Sequence, residues 1–133
     1  MTPVFKKLNL GTHTVIQVLN APKSFEPELA ALKGITVKRA VSGPSSFALA
    51  FVITQAELDT ASRTLAAACA DDAVLWMVYP KGTSRKYRCE FNRDSGWAVL
   101  TQAGFESVRM VAIDEDWSAL RFRRSEHVKR KKT

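Results

Sequence analysis

Two cysteines, two histidines and six glycines are all that the 133 residues supply, and each shortage closes off a kind of chemistry. Cys69 and Cys89 have no CxxC spacing, and with only His13 and His127 available no Cys/His zinc pattern can be written. Both cysteines are expected to be free thiols in a cytoplasmic protein. No GxGxxG, GxxxxGK[ST] or GxSxG element occurs. That removes the sequence signatures of a dinucleotide turn, a P-loop and a serine-hydrolase elbow. No apolar run exceeds seven residues, too short to cross a bilayer. The start, MTPVFKKLNLG, carries two lysines but none of the apolar stretch a signal peptide needs. No membrane, no metal and no cofactor is therefore expected.

What is present reads as one ordinary globular domain: 46% apolar and 25% charged residues. The formal charge of +7 is unevenly placed. Residues 121–133 hold seven Lys/Arg against Glu126 alone, while residues 1–120 hold 13 basic and 12 acidic residues. The charge is thus near neutral over 1–120, and the expectation is a single domain over 1–124 followed by a basic flexible tail over 125–133.

Apolar runs and turn signals alternate along the chain. Thr12–Leu19 is rich in β-branched residues and reads as a strand, broken by Asn20-Ala21-Pro22. Ser24 is placed to cap a short helix whose first turn accepts Pro27, ending at Gly34. Ile35–Val41 and Phe47–Ile53 read as strands around the loop 42–46. Thr54-Gln55-Ala56-Glu57 is a capping box opening a helix that runs to about Ala70, with Leu58, Ala61, Leu65, Ala68 and Cys69 on one face and Asp71-Asp72 closing it. Ala73–Tyr79 is a strand and Pro80–Asn92 a long polar connection. A helix from Arg93 or Asp94 to Ala103 turns Trp97 and Leu100 inward. Glu106–Ile113 and Trp117–Arg123 are strands joined by the turn Asp114-Glu115-Asp116.

The strands at 47–53 and 73–79 are apolar throughout rather than alternating, which implies burial on both faces of a largely parallel sheet. The three-residue turn at 114–116 forces the last strand antiparallel to the one before it. The fold expected is a small Rossmann-like three-layer α/β sandwich: a mostly parallel sheet of about six strands with an antiparallel C-terminal hairpin. This is the arrangement of the methyltransferase variant of the Rossmann fold.

Ligands in such sheets sit beyond the carboxyl ends of the strands where strand order reverses. That crevice should lie beside Asn20, Pro22, Lys23 and Thr54. A nucleotide or S-adenosylmethionine site would want a glycine turn there, and Asn20–Lys23 contains none. The connection after Tyr79 is the stronger candidate. Lys81, Gly82, Thr83, Ser84, Arg85, Lys86, Arg88, Asn92, Arg93 and Asp94 combine hydroxyls, backbone amides and guanidinium forks suited to a phosphate or carboxylate. A connection this long in so small a domain is usually functional or disordered. Cys89 stands among these cations, which can lower a thiol pKa, but an inert cysteine is the better reading. Asp114-Glu115-Asp116 offers carboxylates for a cation, and a hairpin turn explains it equally well. No catalytic residue is identified. Arg121, Arg123, Arg124, Lys129, Arg130, Lys131 and Lys132 form a third candidate, for weak non-specific nucleic-acid binding, against the plainer reading of a solvated tail.

Several stretches occur together: Leu75-Trp76 through Tyr79-Pro80-Lys81-Gly82, Asn92-Arg93-Asp94-Ser95-Gly96-Trp97, Val111-Ala112-Ile113-Asp114 and Trp117–Arg123, with Asn20-Ala21-Pro22 upstream. Over roughly residues 5–124 the sequence resembles a bacterial domain-of-unknown-function family of small single-domain proteins. The resemblance implies a bacterial origin and a Rossmann-like scaffold, and it brings no activity. The sequence is thus read as a non-catalytic or weakly catalytic domain that binds an anionic small molecule or an acidic partner through residues 81–94. A degenerate S-adenosylmethionine-dependent methyltransferase-like enzyme and an accessory nucleic-acid-binding protein are the alternatives. Oligomeric state is not legible.

Overall fold

The computed structural model describes residues 3–41 and 44–128. Its elements are α1 (Pro3–Lys7), β1 (Val15–Leu19), a 3-10 turn (Lys23–Phe25), α2 (Glu26–Ala30), β2 (Thr36–Lys38), β3 (Ser45–Phe51), α3 (Gln55–Ala68), β4 (Cys69–Pro80), α4 (Ala98–Gln102), β5 (Phe105–Ala112), β6 (Trp117–Arg124) and a 3-10 turn (Ser125–His127). One six-stranded sheet has the order β2-β1-β3-β4-β6-β5. β1 to β4 run parallel, and β6 is antiparallel to both β4 and β5. The mixed α/β sheet expected from the sequence is what forms.

The unbroken apolar strands do bury both faces. In β3, Phe47, Leu49 and Phe51 pack on one side with Val74, Trp76 and Val78 of β4. Ala48, Ala50 and Val52 pack on the other with Leu75, Met77 and Tyr79. The first layer is closed by Phe5, Leu8 and Leu10 from the N-terminal segment and by Phe25 and Leu29 around α2. The second is closed by Leu58, Ala61 and Leu65 of α3 and by Trp97 and Leu100. Each fully buried large side chain contributes roughly 1.5–3 kcal/mol.

Trp76 is fully buried, and its indole N–H donates to the Leu8 carbonyl at 2.8 Å. A buried indole needs such a partner. The N-terminal segment, which sequence patterning left unassigned, is therefore part of the core.

Three expectations are corrected. The helix over 55–68 is not closed by Asp71-Asp72: β4 begins at Cys69, whose backbone is already extended (φ −63°, ψ 129°). The Arg124 guanidinium donates to the Ala66 and Cys69 carbonyls at 3.4 and 3.2 Å, so a side chain takes the last helical acceptors in place of a turn. The helix expected from Arg93 or Asp94 starts at Ala98. Asn92 Oδ1 instead accepts from the Asp94 N–H at 2.8 Å and the Ser95 hydroxyl at 3.2 Å, a local turn that competes with the helix. Ser24 caps nothing; Phe25 occupies the N-cap of α2 and Pro27 sits in its first turn as expected. The connection from β2 to β3 joins strands that β1 separates in the sheet. Ser42 and Gly43 of that connection lie outside the described residues.

Candidate functional site

The Pro80–Trp97 connection crosses the carboxyl end of the sheet and is fixed at several points. The Lys81 N–H donates to the Asp116 carbonyl at 2.8 Å, and the Ser84 N–H donates to the Lys81 carbonyl at 3.0 Å, closing a turn. The Ser84 hydroxyl donates to Asp116 Oδ1 at 2.9 Å and accepts from the Lys86 and Tyr87 amides at 3.2 Å each. Tyr87 then packs on Trp117 with ring centroids 4.9 Å apart. Further on, the Glu90 N–H donates to the Ile53 carbonyl at 3.1 Å. Phe91 enters the core between Tyr79 (5.7 Å) and Trp97 (5.3 Å). The Trp97 indole donates to the Asn92 carbonyl at 2.8 Å.

This path leaves a cavity of about 750 Å³ between the connection and the ends of β4, β5 and β6. Of the residues singled out in the sequence, Lys81, Gly82, Thr83, Ser84, Arg88, Asn92 and Arg93 border it. Arg85 and Lys86 do not. Asp94 borders an adjoining hollow of about 490 Å³ towards α4, which it shares with Arg93.

The cavity also has lining that the sequence reading missed: Tyr79, Met110 and Ser118 come from β4, β5 and β6. Tyr79 and Ser118 are a register pair on adjacent strands. Among the described residues, the Tyr79 hydroxyl donates to the Met110 thioether, at 3.5 Å. Burial pushes the Tyr79 phenol up, and the Arg93 charge works against that rise. A ligand here would meet guanidinium and ammonium groups at the rim and two hydroxyls with aromatic rings at the floor.

Cys89 borders the same cavity, but burial pushes its thiol up, and the Glu90 charge adds to the rise against a backbone hydrogen bond from Phe91. Its neighbours do not make it a thiolate. Cys69 is pushed up to about 11 by burial. Asp114 is spent on the hairpin, its Oδ1 accepting from the Asp116 and Trp117 amides at 2.8 and 2.9 Å.

At the point where strand order reverses, Asn20 adopts a left-handed backbone (φ 60°) and borders a separate hollow of about 420 Å³ with Leu19, Glu57 and Thr60. Pro22, Lys23 and Thr54 are not among its lining residues. Thr54 is committed to the capping box: its hydroxyl accepts from the Glu57 N–H at 3.1 Å, and Glu57 accepts from the Thr54 and Ile53 amides at 2.9 Å each. Those bonds hold the Glu57 carboxyl below its ordinary range. Arg39, where β2 has ended, makes a bidentate pair with Glu26 at 2.7 Å.

The third group does not stay together. Arg121 and Arg123 alternate with Ala119 on the face that carries Trp76 and Trp117, whereas Arg124 turns to the opposite face, over the Phe105 ring at 4.6 Å. Arg124 is a structural residue. Lys129, Arg130, Lys131 and Lys132 lie outside the described residues.

No family model matches the sequence, and no curated protein matches it. Solved structures do resemble the fold. The pyocyanin biosynthetic protein PhzM superposes with a TM-score of 0.58 at 10% identity, over 92% of this chain and 53% of that one. The chain thus spans about half the length of PhzM. A SAM-dependent methyltransferase from Aquifex aeolicus gives 0.57 at 12% identity, over 91% and 87%. The N-methyltransferase NodS from Bradyrhizobium japonicum WM9, in complex with S-adenosyl-l-homocysteine, gives 0.53 at 12% identity, over 93% and 89%. At such identities the likeness is one of architecture: the chain has the Rossmann-like α/β fold that these methyltransferases share.

Proposed function

We propose that this protein is a non-catalytic or weakly catalytic domain that binds an anionic small molecule, or an acidic group of a partner, in the cavity under residues 81–94. The observation that supports the reading is the lining of that cavity: Lys81, Arg88 and Arg93 at its rim and the Tyr79 and Ser118 hydroxyls at its floor. Guanidinium forks and convergent hydroxyls are the groups that hold carboxylate or phosphate. The connection is also pinned at both sides, to Asp116 and to Ile53, so an anion would meet a largely ordered site. We further take the chain to be a cytoplasmic bacterial protein, on its free thiols and the resemblance of its Tyr79–Gly82, Asn92–Trp97 and Trp117–Arg123 segments to an uncharacterised bacterial family.

Titration with phosphate, sulfate and benzoate, followed by backbone amide shifts, tests this. Saturable shifts at Lys81, Gly82, Thr83, Arg88 and Arg93 are expected. Uniform or linear shifts, or none, would overturn it.

A second reading, a degenerate methyltransferase-like enzyme, draws on the shared fold and on the hollow beside Asn20. A thermal shift with S-adenosylmethionine would favour it over the first.

A further inference from the structure

The cavity under residues 81–94 is not uniformly basic. Lys81, Arg88 and Arg93 border it, and so does Glu90, whose carboxylate accepts from the Gln55 amide at 2.8 Å. Asp94 adds a second negative charge: it borders the adjoining hollow with Arg93, and its charge acts on the Tyr79 phenol. Arg85 and Lys86 do not border the cavity, and neither does Asp116, which accepts from the Ser84 hydroxyl. Tyr79 and Cys89 are both pushed up by burial and stay neutral near pH 7. Three cations thus stand against two carboxylates, a surplus of one positive charge. That surplus balances a monoanion, whereas a dianionic phosphate would leave one negative charge uncompensated.

The cavity also has an apolar wall. Met110 of β5 is 44% exposed, and of the three large apolar side chains so exposed among the described residues it alone borders the cavity. Its register partner is Leu120, on the face of the sheet that packs against α3, and its sulfur lies 3.5 Å from the Tyr79 hydroxyl. That hydroxyl therefore stands where the two walls meet, against the thioether and within the field of Arg93. A thioether is a weak acceptor, and a carboxylate oxygen is a much stronger one.

We propose that the anion held here is a monocarboxylate carried on an apolar body of about the size of a benzene ring, and that Met110 sets this preference. The inference deepens the anion reading above and rests on it. The carboxylate takes the Tyr79 hydroxyl and the Arg93 fork, and Lys81 and Arg88 add charge from the rim. The apolar body covers the Met110 side chain, whose flexible thioether adapts to rings and to aliphatic groups alike. A cavity of about 750 Å³ is in the range that holds small organic ligands, and an inorganic ion would fill little of it. An inorganic ion would also leave Met110 in water.

The test titrates the full chain with benzoate, acetate and inorganic phosphate at constant ionic strength, read by the amide shifts of Lys81, Arg88 and Arg93 and by the Met110 methyl. Benzoate should bind about tenfold more tightly than acetate, the gain from covering apolar surface, and more tightly than phosphate. Met110→Ala should bring benzoate to within about threefold of acetate without weakening acetate, and Met110→Leu, which keeps the apolar surface, should restore the preference. Met110 is exposed, so both variants should keep a thermal midpoint near that of the wild type. Arg93→Gln should weaken benzoate and acetate by the same factor. Equal affinities for benzoate and acetate, or tighter binding of phosphate, overturn the proposal while the anion reading stands. A preference for benzoate that Met110→Ala leaves intact overturns the role of Met110. Saturation by none of the three overturns both the proposal and the reading beneath it.

Discussion

The Glu90 carboxylate accepts a hydrogen bond from the Gln55 amide at 2.8 Å, across 35 residues of sequence. The first turn of α3 is thus capped twice, by Thr54 from within and by Glu90 from the connection that forms the cavity. Gln55 extends the link, its side-chain amide donating to the Gly96 carbonyl at 2.8 Å and to Asp59 at 2.9 Å. Helix and connection hold each other.

Glu90→Ala should therefore cost about 1–2 kcal/mol, the usual range for a lost helix cap. Urea unfolding measures the cost, and hydrogen exchange should show faster exchange at the Gln55 amide than in the wild type. Stability equal to wild type, with the Gln55 amide still protected, would mean that the connection does not rest on α3.

Gly96 has φ +100°, and a Cβ there would stand 2.7 Å from Phe91 Cβ and 2.8 Å from Gln55 Oε1. Neither neighbour is free to retreat, since Phe91 is packed against Trp97 and Gln55 is hydrogen-bonded. Gly96→Ala should destabilise by about 1–3 kcal/mol. Gly82 meets nothing within 4 Å, so Gly82→Ala serves as the control and should be close to neutral. Equal effects of the two substitutions would contradict the packing described.

The core signals in the sequence were those that rest on local chemistry or on period two. Thr54 and Glu57 announced their capping box, the Asp114 turn fixed the direction of β6, and the strands around Leu49 and Trp76 showed two-faced burial by having no polar alternation. What failed depended on distant partners. Phe5, Leu8 and Leu10 sit among lysines and asparagines in a segment too short for a periodic pattern; Trp76 makes them core. Asn92 diverted a plausible helix start into a turn through one side-chain oxygen. Arg124 looked like its neighbours in composition, yet strand alternation places it with Phe122 and Leu120. In the basic connection, charge alone could not separate Arg88 from Arg85 and Lys86. The Ser84–Asp116 bond and the Tyr87–Trp117 contact decide which of them border the cavity.

Neither thiol should react readily near neutral pH. Burial raises both, Cys69 to about 11. A group raised in the folded state contributes stability that is fully present below its ordinary range and is lost as pH rises through the raised value. Native protein should therefore be sluggish towards a disulfide reagent at pH 7–8 and titrate two thiols once unfolded. Fast stoichiometric labelling of Cys89 in the native state would show that the connection over it opens.

S-adenosylmethionine binding tests how far the shared fold carries function. In this chain the turn after β1 presents Asn20 in a left-handed conformation, then Pro22, which has no amide to donate. Arg39, beyond β2, is engaged with Glu26, where a ribose would want a carboxylate as acceptor. A cofactor approaching this edge would find one donor fewer and a cation in place of an anion. Calorimetry should give no dissociation constant tighter than about 0.1 mM, near −5.5 kcal/mol. Asn20→Gly should leave that result unchanged, because it relaxes the backbone without supplying the missing amide or acid. Micromolar binding by the wild-type chain would mean that the hollow beside Glu57 and Thr60 holds the cofactor by contacts of another kind, and the second functional reading would displace the first.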